Sequence, residues 1–277
     1  MNEFTPELKK RVATGVLGGL FLLAVLIYGN WIAIFFLITL MSIAMLYEYT
    51  GIVLTMPDKV EKRYILLTLG WFVSILDMVV SQGDIPLLAL VFVILFGYFL
   101  LTANRCFNGE LIIHFRELAL SLFGIVYLVL IPAYFYKIYQ SANGREWSIL
   151  FLLIVFTGDT AAYFAGKRFG KTKLYEAISP KKTVEGAVGG LLCGAFVALI
   201  FKGFFFKALS WSAAFEVSIL VGVISQIGDL CESLFKRAFG TKDSGSVLPG
   251  HGGVLDRFDG VVFSLPVMYA CVRLFGN

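Results

Sequence analysis

Two polar stretches of this chain carry the residue types that chemistry needs. The first reads SQIGDLCESLFKRAFGTKDSGSVLPGHGGVLDRFDG and brings Asp229, Glu232, Ser233, Lys236, Arg237, Lys242, Asp243, His251, Gly252, Gly253, Asp256, Arg257 and Asp259 into a short run. Asp229 and Glu232 are three residues apart, as are Asp256 and Asp259, so each pair projects from one side of a helical turn. Asp256 and Asp259 would open a helix, where the N-terminus favours anions. The second stretch reads GKRFGKTKLYEAISPKKTVEG and offers Ser179, Lys181, Lys182 and Thr183 among glycines. Ammonium and guanidinium groups with hydroxyls and backbone N–H groups are how a phosphate-binding surface is built. Carboxylates beside cations are what a nucleotide–Mg²⁺ site requires, because Mg²⁺ takes one or two carboxylates and fills its shell with phosphate oxygens and water. A basic loop can equally be a membrane-proximal segment touching anionic lipid. His251 could serve as a base or as a hydrogen-bond donor to phosphate. GKRFGKT is one residue short of the phosphate-loop spacing, so this is not that motif.

The elements that must position these residues are membrane helices. Of 277 residues 58% are hydrophobic and 15% charged, well below the roughly 25% of a soluble domain. The pattern predicts an all-α polytopic membrane protein with nine spans at about 12–29, 31–54, 64–81, 85–103, 117–137, 147–166, 184–206, 212–236 and 254–275. The first is read as an uncleaved span. With the N-terminus in the cytoplasm, 18 of the 23 Lys and Arg fall on the cytoplasmic side, which places the C-terminus opposite. Both polar stretches then face the cytoplasm. Residues 1–110 are expected to form a set of N-terminal helices and 111–277 a catalytic region carrying both polar loops.

Intramembrane carboxylates need a reason. Asp159, in FTGDTAAYFAGKR, precedes Lys167/Arg168 by eight residues, and Asp229 precedes Lys236/Arg237 by seven. At 1.5 Å per residue both lie about 10–12 Å below their basic pair, at similar depth. Glu48, Asp77 and Glu216 read better as polar contacts between helices. The four cysteines show no zinc spacing and no disulfide framework. No inverted repeat of the transporter kind is present. The net charge of +4 is modest, and no nucleic-acid partner is expected.

At this point the motifs resemble a family. Ser233, Lys236–Arg237, Lys242–Asp243, His251–Gly252–Gly253 and Asp256–Arg257 with Asp259 match the S-x-x-K-R, K-D, H-G-G and D-R-x-D signature of phosphatidate cytidylyltransferases, also called CDP-diacylglycerol synthases. GDLCES, ISPKKTVEG, Asp159 with Tyr163, and the ELKKRVATG start are similar to further family elements. The resemblance is sharp over the last 120 residues and general before them. It implies that CTP and phosphatidate give CDP-diacylglycerol and pyrophosphate, with Mg²⁺ and possibly a second cation. It further implies a bacterial-type inner-membrane homodimer. On this reading Asp229 and Asp256 hold the cation, Asp259 assists, and Lys181, Lys182, Lys236, Arg237, Lys242 and Arg257 bind phosphates. Asp159, Ser179, Thr183, Glu232, Ser233, Asp243, His251, Gly252 and Gly253 complete the substrate site. A CTP-dependent polyprenol or lipid kinase and an ion-coupled transporter are the alternatives.

Overall fold

The computed structural model describes residues 6–55, 57–79, 92–97, 111–247 and 252–276. Helix α1 (Pro6–Tyr28) gives way at Gly29–Asn30 to α2 (Trp31–Val53), whose first turn is capped by the Asn30 side chain accepting from Ala33 N at 2.9 Å. Helix α3 spans Lys59–Val79. Helix α4 (Leu111–Ile125) continues through a π-helical turn (Val126–Leu130) into α5 (Ile131–Tyr139). Pro132 lies just beyond that turn and has no N–H to give to the ladder, the usual setting for such a local widening. Helix α6 (Gly144–Phe169) leads to a hairpin of β1 (Lys173–Tyr175) and β2 (Ser179–Thr183), then to α7 (Val184–Phe204), α8 (Trp211–Ala238) and α9 (Leu255–Phe275).

Six helices among the described residues are long and apolar enough to cross a membrane: α2, the continuous 111–139 unit, α6, α7, α8 and α9. Helix α1 offers a shorter apolar stretch, Gly15–Tyr28. Helix α3 carries Lys59, Glu61, Lys62 and Arg63 in its opening turns and Asp77 near its end, which shortens its apolar run. The span expected at 85–103 lies outside the described residues except for a helical stretch at 92–97. An outward coat of large apolar side chains, among them Leu17, Phe36, Leu40, Phe164, Phe196 and Phe204, is what lipid-facing helices present. The all-helical expectation therefore describes the bundle, and the antiparallel hairpin between α6 and α7 is an addition to it.

Glycine governs how closely the last four helices approach. A Cβ on Gly190 would meet the carbonyl of Gly158, and one on Gly186 the carbonyl of Ala162, so α7 lies directly against the α6 backbone. The Gly186–Gly190–Gly194 stripe is thus used inside the chain. On the other side, a Cβ on Gly228 would strike Phe263 and one on Gly260 would strike Ser225, so α8 and α9 touch at these positions. Two apolar clusters flank this contact. One joins α1, α2 and α5 to α6–α9 through residues such as Trp147, Phe151 and Met268; the other joins α2, α3 and α4 to α9 through Leu46, Tyr49, Leu128 and Val262.

Candidate active site

The close contact of α8 and α9 decides the site. Gly228 precedes Asp229 and Gly260 follows Asp259, so the position where the two backbones nearly touch also brings these carboxylates together. Asp259 is 9% exposed, accepts a hydrogen bond from Gly260 N at 2.6 Å, and lies within electrostatic reach of Asp229, Glu232 and Asp159. Asp159 comes from α6, whose close packing on α7 leaves only a narrow crevice lined by Gly158, Asp159, Gly190, Gly194, Gly222 and Gln226. Gln226 Nε2 ties α8 to α7 by donating to the Ala187 carbonyl at 3.0 Å.

Two lysines face this acidic group. Lys182 reaches from β2 to Asp229 Oδ2 at 2.5 Å, a pair that keeps partial access to solvent. Lys236 sits between Glu232 Oε2 at 2.6 Å and Asp256 Oδ1 at 2.8 Å. Asp256 also accepts from Ser244 N at 3.0 Å and Gly253 N at 3.1 Å, so it closes the loop between α8 and α9 on itself. Gly252 holds φ +83, a conformation that side chains resist. Asp229, Glu232 and Asp256 are thus ion-paired to the two ammonium groups, while Asp159 and Asp259 lie within electrostatic reach of Asp229.

The hairpin that delivers Lys182 is held at both ends. Thr183 caps α7, its hydroxyl accepting from Gly186 N at 3.2 Å, and Glu185 of the first turn accepts from Lys171 N and Thr172 N at 3.1 Å. Lys173 Nζ donates to the Pro180 carbonyl at 2.5 Å. The basic loop is therefore a built element rather than a mobile charge cloud. The N-termini of α7 and α9, whose dipoles favour anions, lie at the same end of the bundle as the last turns of α6 and α8, whose basic side chains Lys167, Arg168 and Arg237 add positive charge.

The remaining residues singled out in the sequence divide by exposure. Lys181, Arg237, Lys242, Asp243 and Arg257 are exposed around the rim, while Ser179 and Ser233 are half-buried. Thr183 is buried and its oxygen serves the helix cap. Gly252 and Gly253 form the approach to α9, and His251 lies outside the described residues. No three His, Cys, Asp or Glu among the described residues close up into a self-sufficient metal site. Mg²⁺ does not need one, since phosphate oxygens and water supply most of its shell, and the carboxylate excess fits such a cation.

Glu48 is the residue that sequence reasoning set aside. It is 4% exposed, and its Oε2 accepts from Leu255 N at 3.0 Å and from Ser244 Oγ at 3.3 Å. The polar contact expected of it is present, but its partner is the motif loop. The neighbouring Tyr49 stacks on Phe235 at 5.1 Å and donates to the Leu120 carbonyl at 2.9 Å. The signal in the sequence was a charged residue near the end of an apolar span. Nothing in the sequence named its partner.

Residues 9–275 match the model of the cytidylyltransferase family. A phosphatidate cytidylyltransferase of Staphylococcus epidermidis is 34% identical over 269 residues, covering 94% of this chain and 97% of that protein. One of Staphylococcus saprophyticus is 36% identical over 265 residues with the same coverage. One of Staphylococcus aureus (strain COL) is 40% identical over 182 residues, 66% of each chain. This chain belongs to the cytidylyltransferase family.

Proposed function

We propose that the protein is a membrane-embedded nucleotidyltransferase that converts CTP and phosphatidate to CDP-diacylglycerol and pyrophosphate. The observation that carries this reading is the meeting of Asp229, Asp256 and Asp259 with Lys182 and Lys236 at one end of a lipid-facing bundle. A phosphatidate headgroup stays near the interface, so a catalyst for it must bring its charge down to that level. A phosphate oxygen of the lipid attacks the α-phosphorus of CTP, the bond to the β-phosphate oxygen breaks, and pyrophosphate leaves. Positioning and charge neutralisation account for most of such a transfer.

Asp229 and Asp256 would hold a divalent cation with Asp259 assisting, and the cation would supply charge neutralisation at the phosphate oxygens. Lys182 and Lys236, already paired with those carboxylates, are placed to turn to phosphates when substrates arrive. Lys181, Arg237, Lys242 and Arg257 on the rim would bind the outer phosphates.

The basic-residue asymmetry supports nine spans, a cytoplasmic N-terminus, an inner-membrane location and a site open to cytosolic CTP. A homodimer is part of the same reading, with its interface away from the glycine stripe that α6 already occupies. The test is turnover by purified protein in detergent with α-labelled CTP, phosphatidate and Mg²⁺, with and without EDTA. Label moving into the lipid phase, with stoichiometric pyrophosphate and loss on chelation, is the expected result. Label remaining aqueous as CDP would replace this reading with γ-phosphoryl transfer to a lipid.

A further inference from the structure

Helix α9 begins without a cap of its own. Val254, at its N-cap position, is helical and supplies no side-chain hydrogen bond. The first amide of the helix, Leu255 N, is instead met by Glu48 Oε2 from α2. The same oxygen accepts from Ser244 Oγ, and the Ser244 backbone N–H goes to Asp256. Ser244 is therefore shared between two carboxylates, one from the second helix and one from the last.

The glycines show how tightly this is fitted. A Cβ on Gly245 would fall 2.6 Å from Glu48 Oε1, and one on Gly253 would fall 2.7 Å from Glu48 Oε2. The carboxylate is wedged between the two limbs of the motif loop. Its other oxygen is buried without a hydrogen-bond partner among the described residues. Next to it, Tyr49 stacks on Phe235, the residue before Lys236. Two consecutive residues of α2 thus brace both sides of the Lys236–Asp256 pair.

We infer that Glu48 is a positioning residue for cytidylyl transfer, fixing the start of α9 and the Ser244 limb so that Asp256 and Lys236 keep their relative placement. This rests on the assignment of Asp256 and Lys236 to the reaction. Glu48 acts through them, and the rate of the chemical step is the quantity it controls.

The experiment compares full-length Glu48→Ala, Glu48→Gln, Ser244→Ala, Glu48→Ala/Ser244→Ala and Asp256→Asn, each purified in detergent. The measured quantities are kcat, KM for CTP and for phosphatidate, and the thermal unfolding midpoint. Loss of a charge-assisted contact that orders the site should lower kcat of Glu48→Ala by about 10–100-fold with both KM values within about threefold. Glu48→Gln keeps one acceptor for Leu255 N and should fall between it and the parent. Ser244→Ala should cost little more once Glu48 is gone. Unchanged kcat in Glu48→Ala, or a fall explained wholly by the unfolded fraction, overturns the inference. Additive losses in the double variant do the same. Should Glu48→Ala fail to fold, unchanged kcat in both Glu48→Gln and Ser244→Ala decides against it. An active Asp256→Asn would remove the role given to Asp256, whereas a normal Glu48→Ala beside an inactive Asp256→Asn would remove only the role given to Glu48.

Discussion

Asp229 is half-exposed, salt-bridged to Lys182, and one residue from the closest approach of α8 and α9. Replacing it with Asn keeps the volume and the helix, so Asp229→Asn should insert and unfold like the parent while turnover falls at least about 100-fold, the scale of removing a charge from a preorganised transfer site. Product formation per folded molecule measures it. Gly253→Ala acts differently: the new methyl would meet Ser244 Oγ, Glu48 Oε2 and Asp256 Oδ2 at once, so it should damage turnover although no charge changes. At this scale the sequence was informative wherever chemistry and spacing coincided, as with Asp229, Asp256, Asp259 and Lys236. It pointed to a polar contact for Glu48 but not to its partners, because a carboxylate's meaning depends on what faces it, and those partners lie 196 and 207 residues away. It also could not tell that Thr183 spends its oxygen on a helix cap.

Elements carry a second set of consequences. Lys62 on α3 is buried against Asp58 at 2.9 Å and Glu117 at 2.7 Å, and Glu117 accepts from Thr55 N at 2.6 Å. This cluster fastens α3 and the turn before it to α4. Lys62→Met would leave the buried Glu117 carboxylate without its cation and should cost about 3–5 kcal/mol, the usual scale for removing one partner of a buried pair. A drop in the unfolding midpoint, with kcat of the surviving fraction near the parent's, is the expected pattern. Gly190→Leu should instead force α7 off α6 and move Asp159 and the hairpin together, so both stability and turnover should fall. Helices were legible from their apolar runs. The hairpin was not, because β1 and β2 are short, basic and exposed, and lack the alternation by which strands are recognised.

Across the whole molecule, the described helices place the hairpin, the start of α9 and the C-terminal ends of α2, α6 and α8 at one end of the bundle, and the distribution of Lys and Arg proposes that end as the cytoplasmic one. Cysteines introduced singly at Ala142 and at Glu176, at opposite ends of α6, should be labelled by a membrane-impermeant reagent from opposite faces. The position at 176 should react only from the cytoplasmic side. Labelling of both from one side would sink the orientation proposed above. Membrane class was readable from composition because lipid imposes it directly. The pairing of helices was not, since lipid-facing and helix-facing apolar residues look alike in a sequence.

The bond from Glu48 to Leu255 has a bearing on biogenesis. Helix α2 leaves the ribosome and enters the bilayer long before α9 is made, so Glu48 spends that interval as an acid at membrane depth without its eventual partners. Only the loop after α8 and the first residue of the last helix supply them. A nascent or truncated chain lacking α9 therefore cannot complete the loop that Asp256 and Glu48 share, and competence for the reaction arrives with the final span rather than growing span by span.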